Sequence, residues 1–259
     1  MTTKLDDLFG AAKDDGELSA QSAQVLAIPD LGAQIQAGLG ITVDDVQASE
    51  VVLVTMMCDD SGSIRFAGNA DAIRDGHNLV LDALEKAKLK DGILAHTRLL
   101  NGTVVFPYRP IEQAARLDRH NYDPDGGTPL YDQSVVLLGT VVAKAREFAD
   151  AGVPARTVTL ILTDGADQHS VLASAKDVRA IVEDLRRQES HIVAGLGVAD
   201  GSTDFKRVFR EMGIEDKWIL TAGANAQEIR KAFQLFSRSA VQASRAAAFS
   251  KTALGGFGA

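Results

Sequence analysis

The sequence predicts an α/β fold, a doubly wound, mainly parallel central sheet flanked by helices. Three observations carry this. Valine-rich apolar runs at 51–58 and 157–163 read as buried strands. Segments with helical spacing alternate with the strands, which is the signature of parallel crossovers. One close pair, 92–100 and 103–108, is joined by Asn101-Gly102, the dipeptide of a tight hairpin turn.

Taken in order, residues 1–47 form an acidic N-terminal extension. It allows helical turns near 17–27 and 31–38, interrupted by Pro29, Gly32, Gly38 and Gly40. With few large apolar residues it is expected to be a solvated, partly mobile arm. Its Leu5, Leu8, Phe9, Val25, Leu26 and Ile28 nevertheless offer an apolar set for a groove or another subunit. The strand at 51–58 leads to a helix at 69–89 with Ile73, Leu79, Leu81 and Leu84 at its apolar positions. After the hairpin, the polar loop 109–127 ends in DPDGGTP and sets Thr128 just ahead of a helix at 130–149, with Pro129 in its first turn. A strand at 157–163, a helix at 174–187, a strand at 190–196, a helix at 203–212 and a strand at 217–221 follow. A long final helix at 225–249 carries the stripe Ile229, Phe233, Phe236 and Val241. One domain over 48–249 is expected, closed by a glycine-rich flexible tail at 250–259.

Composition narrows the classes. The 259 residues are 46% hydrophobic, enough for a buried core, and no apolar stretch is long enough to span a membrane. The N-terminus lacks the apolar segment of a secretory signal. The single Cys58 lies in a predicted buried strand and cannot form an internal disulfide, so a reducing, cytoplasmic location is expected. Of the net charge of −8, residues 1–50 contribute −7, from nine acids against Lys4 and Lys13. An acidic balance argues against nucleic acid as the main partner.

The chemistry is concentrated after the strand 51–58. It delivers Asp59, Ser61 and Ser63 onto the following loop, and alternate residues of an extended stretch point the same way. A carboxylate with neutral hydroxyls suits a hard cation such as Mg2+ and suits softer metals poorly. Two further segments supply Thr128 and Asp164, the latter at the end of the strand 157–163. Ligands in such sheets bind beyond the carboxyl ends of the strands.

D-x-S-x-S, then a distant Thr, then a distant Asp, in that order, resembles the von Willebrand factor A (vWA) domain and its metal-ion-dependent adhesion site over residues 48–249. Thr128 follows Ser63 by 65 positions and Asp164 follows Thr128 by 36. The resemblance implies a Rossmann-like vWA fold and a divalent ion, Mg2+ with Mn2+ or Ca2+ as alternatives, held by Asp59, Ser61, Ser63, Thr128 and Asp164. It also implies a protein partner that supplies a Glu or Asp carboxylate to the metal. Soluble members of this family accompany ATPases, kinases, phosphatases or stress-response systems of the tellurium-resistance type, so an adaptor or subunit rather than an enzyme is expected.

Two rivals stand beside this reading: a metal-dependent hydrolase of phosphoesters, and a structural subunit whose metal stabilises the fold. A phosphotransferase with a nucleophilic Asp59 lacks the second acid two residues on, where Ser61 stands. No Gly-Lys dipeptide offers a P-loop, and Ser61 lacks the G-x-S-x-G elbow. Gly195-Leu-Gly197 hints at a dinucleotide loop but meets Asp200 at the third glycine position. His169 and His120 lie near the motif as solvated loop residues or proton carriers, and Asp167 as a supporting or surface acid.

Overall fold

A computed structural model describes residues 5–88, 90–243 and 256–257. Six strands, β1 Val51–Cys58, β2 Ile93–Leu99, β3 Val104–Pro110, β4 Ala155–Thr163, β5 His191–Val198 and β6 Ile219–Ala222, form one sheet in the order β3-β2-β1-β4-β5-β6. All neighbours are parallel except β2 and β3, the Asn101-Gly102 hairpin. Gly102 takes φ +96°, a conformation that a residue with a side chain rarely adopts. The helices are α1 Leu5–Asp14, α2 Ala20–Leu26, α3 Pro29–Gly38, α4 Gly62–Phe66, α5 Ala70–Glu85, α6 Leu130–Asp150, α7 Ala175–Arg187, α8 Phe205–Glu211 and α9 Ala226–Ala243. This is the α/β, doubly wound arrangement that the strand and helix alternation predicts.

β1 is buried at all eight positions, because helices cover both faces of the sheet. α5 and α9 pack together on one face, and α6, α7 and the first three helices cover the other. The stripe Ile229, Phe233 and Phe236 of α9 is buried, and Phe233 lies so close to Gly76 of α5 that a Cβ there would meet the ring at 2.0 Å. The basic flank of α9 is thus its solvent side, and its apolar stripe is spent in the core. Residues 244–249 of the predicted final helix lie outside the described residues. So does most of the tail, of which Gly256 and Phe257 rest on the turn at Trp218, with the two rings 5.3 Å apart.

The N-terminal segment differs from the expected mobile arm. Leu8, Phe9, Ala12, Leu18, Val25, Leu26, Leu31, Ile35 and Leu39 are all buried and belong to the main core. Leu5, Leu8, Phe9 and Ala12 follow helical spacing, so α1 presents one apolar stripe although its other face is acidic. Salt bridges from Arg146 of α6 to Asp15 and Glu17 hold the α1–α2 turn. The predicted helix at 69–89 is α5, and the short α4 precedes it unpredicted, set off by Gly68 at φ +72°.

The glycines of Gly195-Leu-Gly197 sit inside β5. Added Cβ atoms would lie 2.6 Å from the ring of Phe209 and 2.2 Å from that of Phe205. They make room for α8 against the sheet and form no dinucleotide loop.

Candidate metal centre

The strand order reverses direction between β1 and β4, and the loops leaving these two strands open the crevice of the fold. β1 ends at Cys58, so Asp59, Asp60 and Ser61 emerge there. β4 ends at Thr163, so Asp164 emerges beside them. Ser61 also forms an isolated parallel bridge with Gly126, and Gly62 N–H donates to the Gly126 carbonyl at 3.1 Å. The third loop, which carries Thr128, is thereby tied to the first.

The hydroxyls converge. Ser63 Oγ donates to Asp164 Oδ1 at 2.7 Å, Ser61 Oγ donates to the same oxygen at 3.2 Å, and the two hydroxyls lie 2.8 Å apart. Ser61 is the N-cap residue of α4, yet its side chain makes no capping bond. Its hydroxyl therefore points to the shared centre rather than to the helix.

Asp59 is fully buried and heavily bonded. Its Oδ1 accepts from Ser61 N–H at 2.8 Å, and its Oδ2 accepts from Thr163 Oγ1 at 2.8 Å and Asp164 N–H at 3.1 Å. Tyr122 Oη donates to the Asp59 carbonyl at 2.5 Å. Asp164 differs: burial, with the nearby Asp59 charge, raises its pKa to about 6 against the pull of the two serine hydroxyls. Asp60 is also raised to about 6, chiefly by burial, although Asn101 N–H donates to its Oδ1 at 2.9 Å.

Thr128 is buried and is held by its backbone. Its N–H donates to His169 Nδ1 at 2.8 Å, and its carbonyl accepts from the N–H groups of Gln168 and His169. Tyr131 and Asp132 N–H, at the start of α6, donate to Ser170 Oγ, each at 3.0 Å, and Ser170 Oγ donates to Asp167 Oδ1. In return, Asp132 accepts from the N–H groups of Val171, Leu172 and Ala173. The loop after β4 and the N-terminus of α6 thus cap one another.

The structure places all five predicted residues at one end of the sheet, four on loops and Ser63 in the first turn of α4. It shows directly the convergence of Ser61, Ser63 and Asp164, with Asp59 beneath them. For Thr128 it shows the attachment to the loop carrying His169. His169 holds Thr128, and Asp167 holds Ser170, so both support the site. His77 and His96 are buried and His191 is half-buried, and desolvation lowers their pKa values to about 4, 3 and 4. Cys58 is buried, and its thiol is pushed far up by desolvation and the adjacent Asp60 and Asp59, which makes it inert. Sequence reasoning missed Asp132 and Ser170. An acid and a hydroxyl near a helix start were visible, but their partners lie 38 to 41 residues away.

No known sequence family matches the chain, and no curated protein matches it. Solved structures do. The pilus adhesin SpaC of Lactobacillus rhamnosus GG aligns with a TM-score of 0.56 at 13% identity, over 76% of this chain and 31% of that one. Proximal thread matrix protein 1 from the mussel byssus, with a zinc-occupied metal-ion-dependent adhesion motif, aligns at 0.49 and 16% identity, over 74% of this chain and 46% of that one. The VWA domain of SpRpn10 aligns at 0.45 and 9% identity, over 71% of this chain and 94% of that one. The chain spans about a third of the adhesin and about half of the mussel protein. The likeness to the adhesin and the strand order identify the fold as the vWA fold.

Proposed function

From a vWA fold with this cluster at its crevice, we propose a module that binds another protein through a divalent metal ion. The observation that carries the reading is the convergence of Ser61 Oγ and Ser63 Oγ on Asp164 Oδ1, above the clamped Asp59. The donor set fits the ion. It is all oxygen, with two carboxylates for charge and hydroxyls that add none, as a hard cation requires.

Ser61, Ser63 and Thr128 would contribute neutral oxygens, and Asp59 and Asp164 the charge. Mg2+ is the ion we favour, with Mn2+ and Ca2+ as alternatives. When bound, the ion supplies an electrophilic centre that accepts a Glu or Asp carboxylate from the partner. Asp59 fixes the loops, and the surrounding burial strengthens the contact. What supports interaction over hydrolysis is that His169 Nδ1, a candidate base on these loops, is committed to the Thr128 amide.

We further propose that the chain is a cytoplasmic adaptor or subunit of a larger assembly, of the kind that accompanies ATPases, kinases or stress-response systems, without enzymatic activity. Among the described residues no helix is long and apolar enough to cross a membrane. The exposed Asp123 and Asp125 beside the crevice disfavour a nucleic-acid backbone there. The test is purification of tagged protein from its native cells with Mg2+ or with EDTA. Partners that elute only in Mg2+ support the proposal. Partners indifferent to EDTA, or turnover of phosphoesters, refute it.

A further inference from the structure

Among the described residues the exposed large hydrophobic side chains are Phe66, Val171 and Leu172, at 91%, 85% and 39% exposure. All three sit on the loops and short helix of the metal centre. Phe66 ends α4, three residues after Ser63. Helical side chains lean toward the N-terminus, and the ring lies so that a Cβ on Gly62, between the two serine donors, would be 3.7 Å from its Cε2. Val171 and Leu172 stand on the loop leaving β4, with their N–H groups on Asp132, four residues after Thr128. One apolar element therefore adjoins the first ligand loop, and the other adjoins the loops of Thr128 and Asp164.

The backbone under Val171 is anchored by the buried Asp132 carboxylate, so these side chains are held outward on a fixed support. Exposed apolar groups gathered at one site mark an interaction surface. The surrounding charge narrows the partner. Asp123 and Asp125 are 76% and 80% exposed, and Arg65 bridges both. Asp59, Asp60 and Asp164 lie beneath. A segment rich in acids meets repulsion everywhere except at the metal, whereas a single carboxylate meets attraction there and apolar neighbours gain from burial.

Building on the metal-dependent reading, we propose that the partner presents one Asp or Glu flanked on both sides by large apolar side chains, in a segment otherwise poor in acids. The carboxylate goes to the metal. One apolar neighbour covers Phe66, and the other covers Val171 and Leu172.

The experiment pans a library of short peptides, each with a central Asp or Glu and randomised flanks, against the full chain in Mg2+ and in EDTA. The expected result is Mg2+-dependent binders enriched in Phe, Leu, Ile and Val beside the carboxylate and depleted in further acids. Phe66→Ser, and Val171→Ser with Leu172→Ser, should each weaken the best binder by about tenfold or more, the scale of burying one such side chain. Circular dichroism and Mg2+ titration of the variants report the fold and the metal separately. Mg2+-dependent acidic binders without apolar preference, or binders indifferent to both variants, overturn this inference and leave the metal reading intact. Absence of any Mg2+-dependent binder overturns both.

Discussion

The amide of Asp164 donates to the carboxylate of Asp59 at 3.1 Å, joining two loops 105 residues apart in sequence. The two acids of the centre consequently differ in kind. Asp59 is a tie: with Ser61 N–H and Thr163 Oγ1 it accepts three hydrogen bonds and locks the ends of β1 and β4 together. Asp164 Oδ1 receives the two serine hydroxyls, and its pKa is raised by burial.

Asp59→Ala is therefore expected to do more than abolish Mg2+ binding. The buried amides of Ser61 and Asp164 lose their acceptor, each unsatisfied group costing about 1–3 kcal/mol, while Thr163 Oγ1 retains the Gly165 carbonyl. Asp164→Asn removes a charge while leaving those donors paired. Both variants should lose the Mg2+-induced rise in Tm, and only Asp59→Ala should show a large fall in Tm without metal. Calorimetry finding wild-type Mg2+ affinity in either variant would refute the site.

The raised acids predict how metal stabilisation depends on pH. Asp60 and Asp164, at about 6, bind protons better folded than unfolded, where aspartate titrates near 3.8. Between those values their contribution to stability without metal declines as pH rises. Mg2+ takes the ionised form of Asp164, so the rise in Tm on adding Mg2+ should be small at pH 5 and full above pH 7. The desolvated His77, His96 and His191 act oppositely, since their lowered values withdraw stability as pH falls below about 6.5. That contribution is common to both samples and cancels in the difference. Melting curves with and without Mg2+ across this range check the sign.

Thr128→Ala removes a neutral hydroxyl and leaves the backbone bonds to His169 and Gln168 in place. Partner affinity should fall more than Mg2+ affinity. Titrations of metal and of a Mg2+-dependent partner measure the two separately. Equal losses would show that Thr128 has no special part in engaging the partner.

Asp132→Ala frees the N–H groups of Val171, Leu172 and Ala173. A loss of about 1–3 kcal/mol is expected from chemical denaturation. Hydrogen exchange should quicken over 170–173, while β1 and β4 remain protected.

How much of this was visible beforehand differs by region. Asp59 and Asp164 were legible because each follows an apolar strand, and Ser61 and Ser63 from the D-x-S-x-S spacing. The expected extended stretch is not what aligns the serines: Ser61 is the N-cap residue of α4 and Ser63 lies in its first turn. The hairpin was legible from Asn101-Gly102. The role of α1 was not, because Leu5, Leu8, Phe9 and Ala12 lie among acids and small residues, and their stripe acquires meaning only against α6. Asp132 and Ser170 show the same limit, since each caps an element far away in the chain. The short α4 was not foreseen, because its five residues are too few to show a helical period, while α5 was read correctly as starting just after Gly68.

Removal of residues 1–42 is a further test. Leu8, Phe9, Leu18, Val25, Leu26, Leu31, Ile35 and Leu39 are buried large apolar side chains, each worth about 1.5–3 kcal/mol of burial, against about 5–15 kcal/mol for a whole domain. A protein starting at Val43 should melt far lower or precipitate. A soluble, cooperatively folding product would show that the segment is dispensable.

The path of residues 40 and 41 has a wider consequence. β3 is an outer strand of the sheet, and Ile41 N–H donates to the Tyr108 carbonyl on it at 3.0 Å, while Gly40 passes so close that a Cβ would clash with the same carbonyl. The segment thus shields part of a row of backbone groups that would otherwise recruit another strand. Loosening it, even in a protein that stays folded, would open a lateral seam for self-association. Light scattering should then rise with protein concentration even when metal is saturating. Solubility and metal recognition would thereby fail independently.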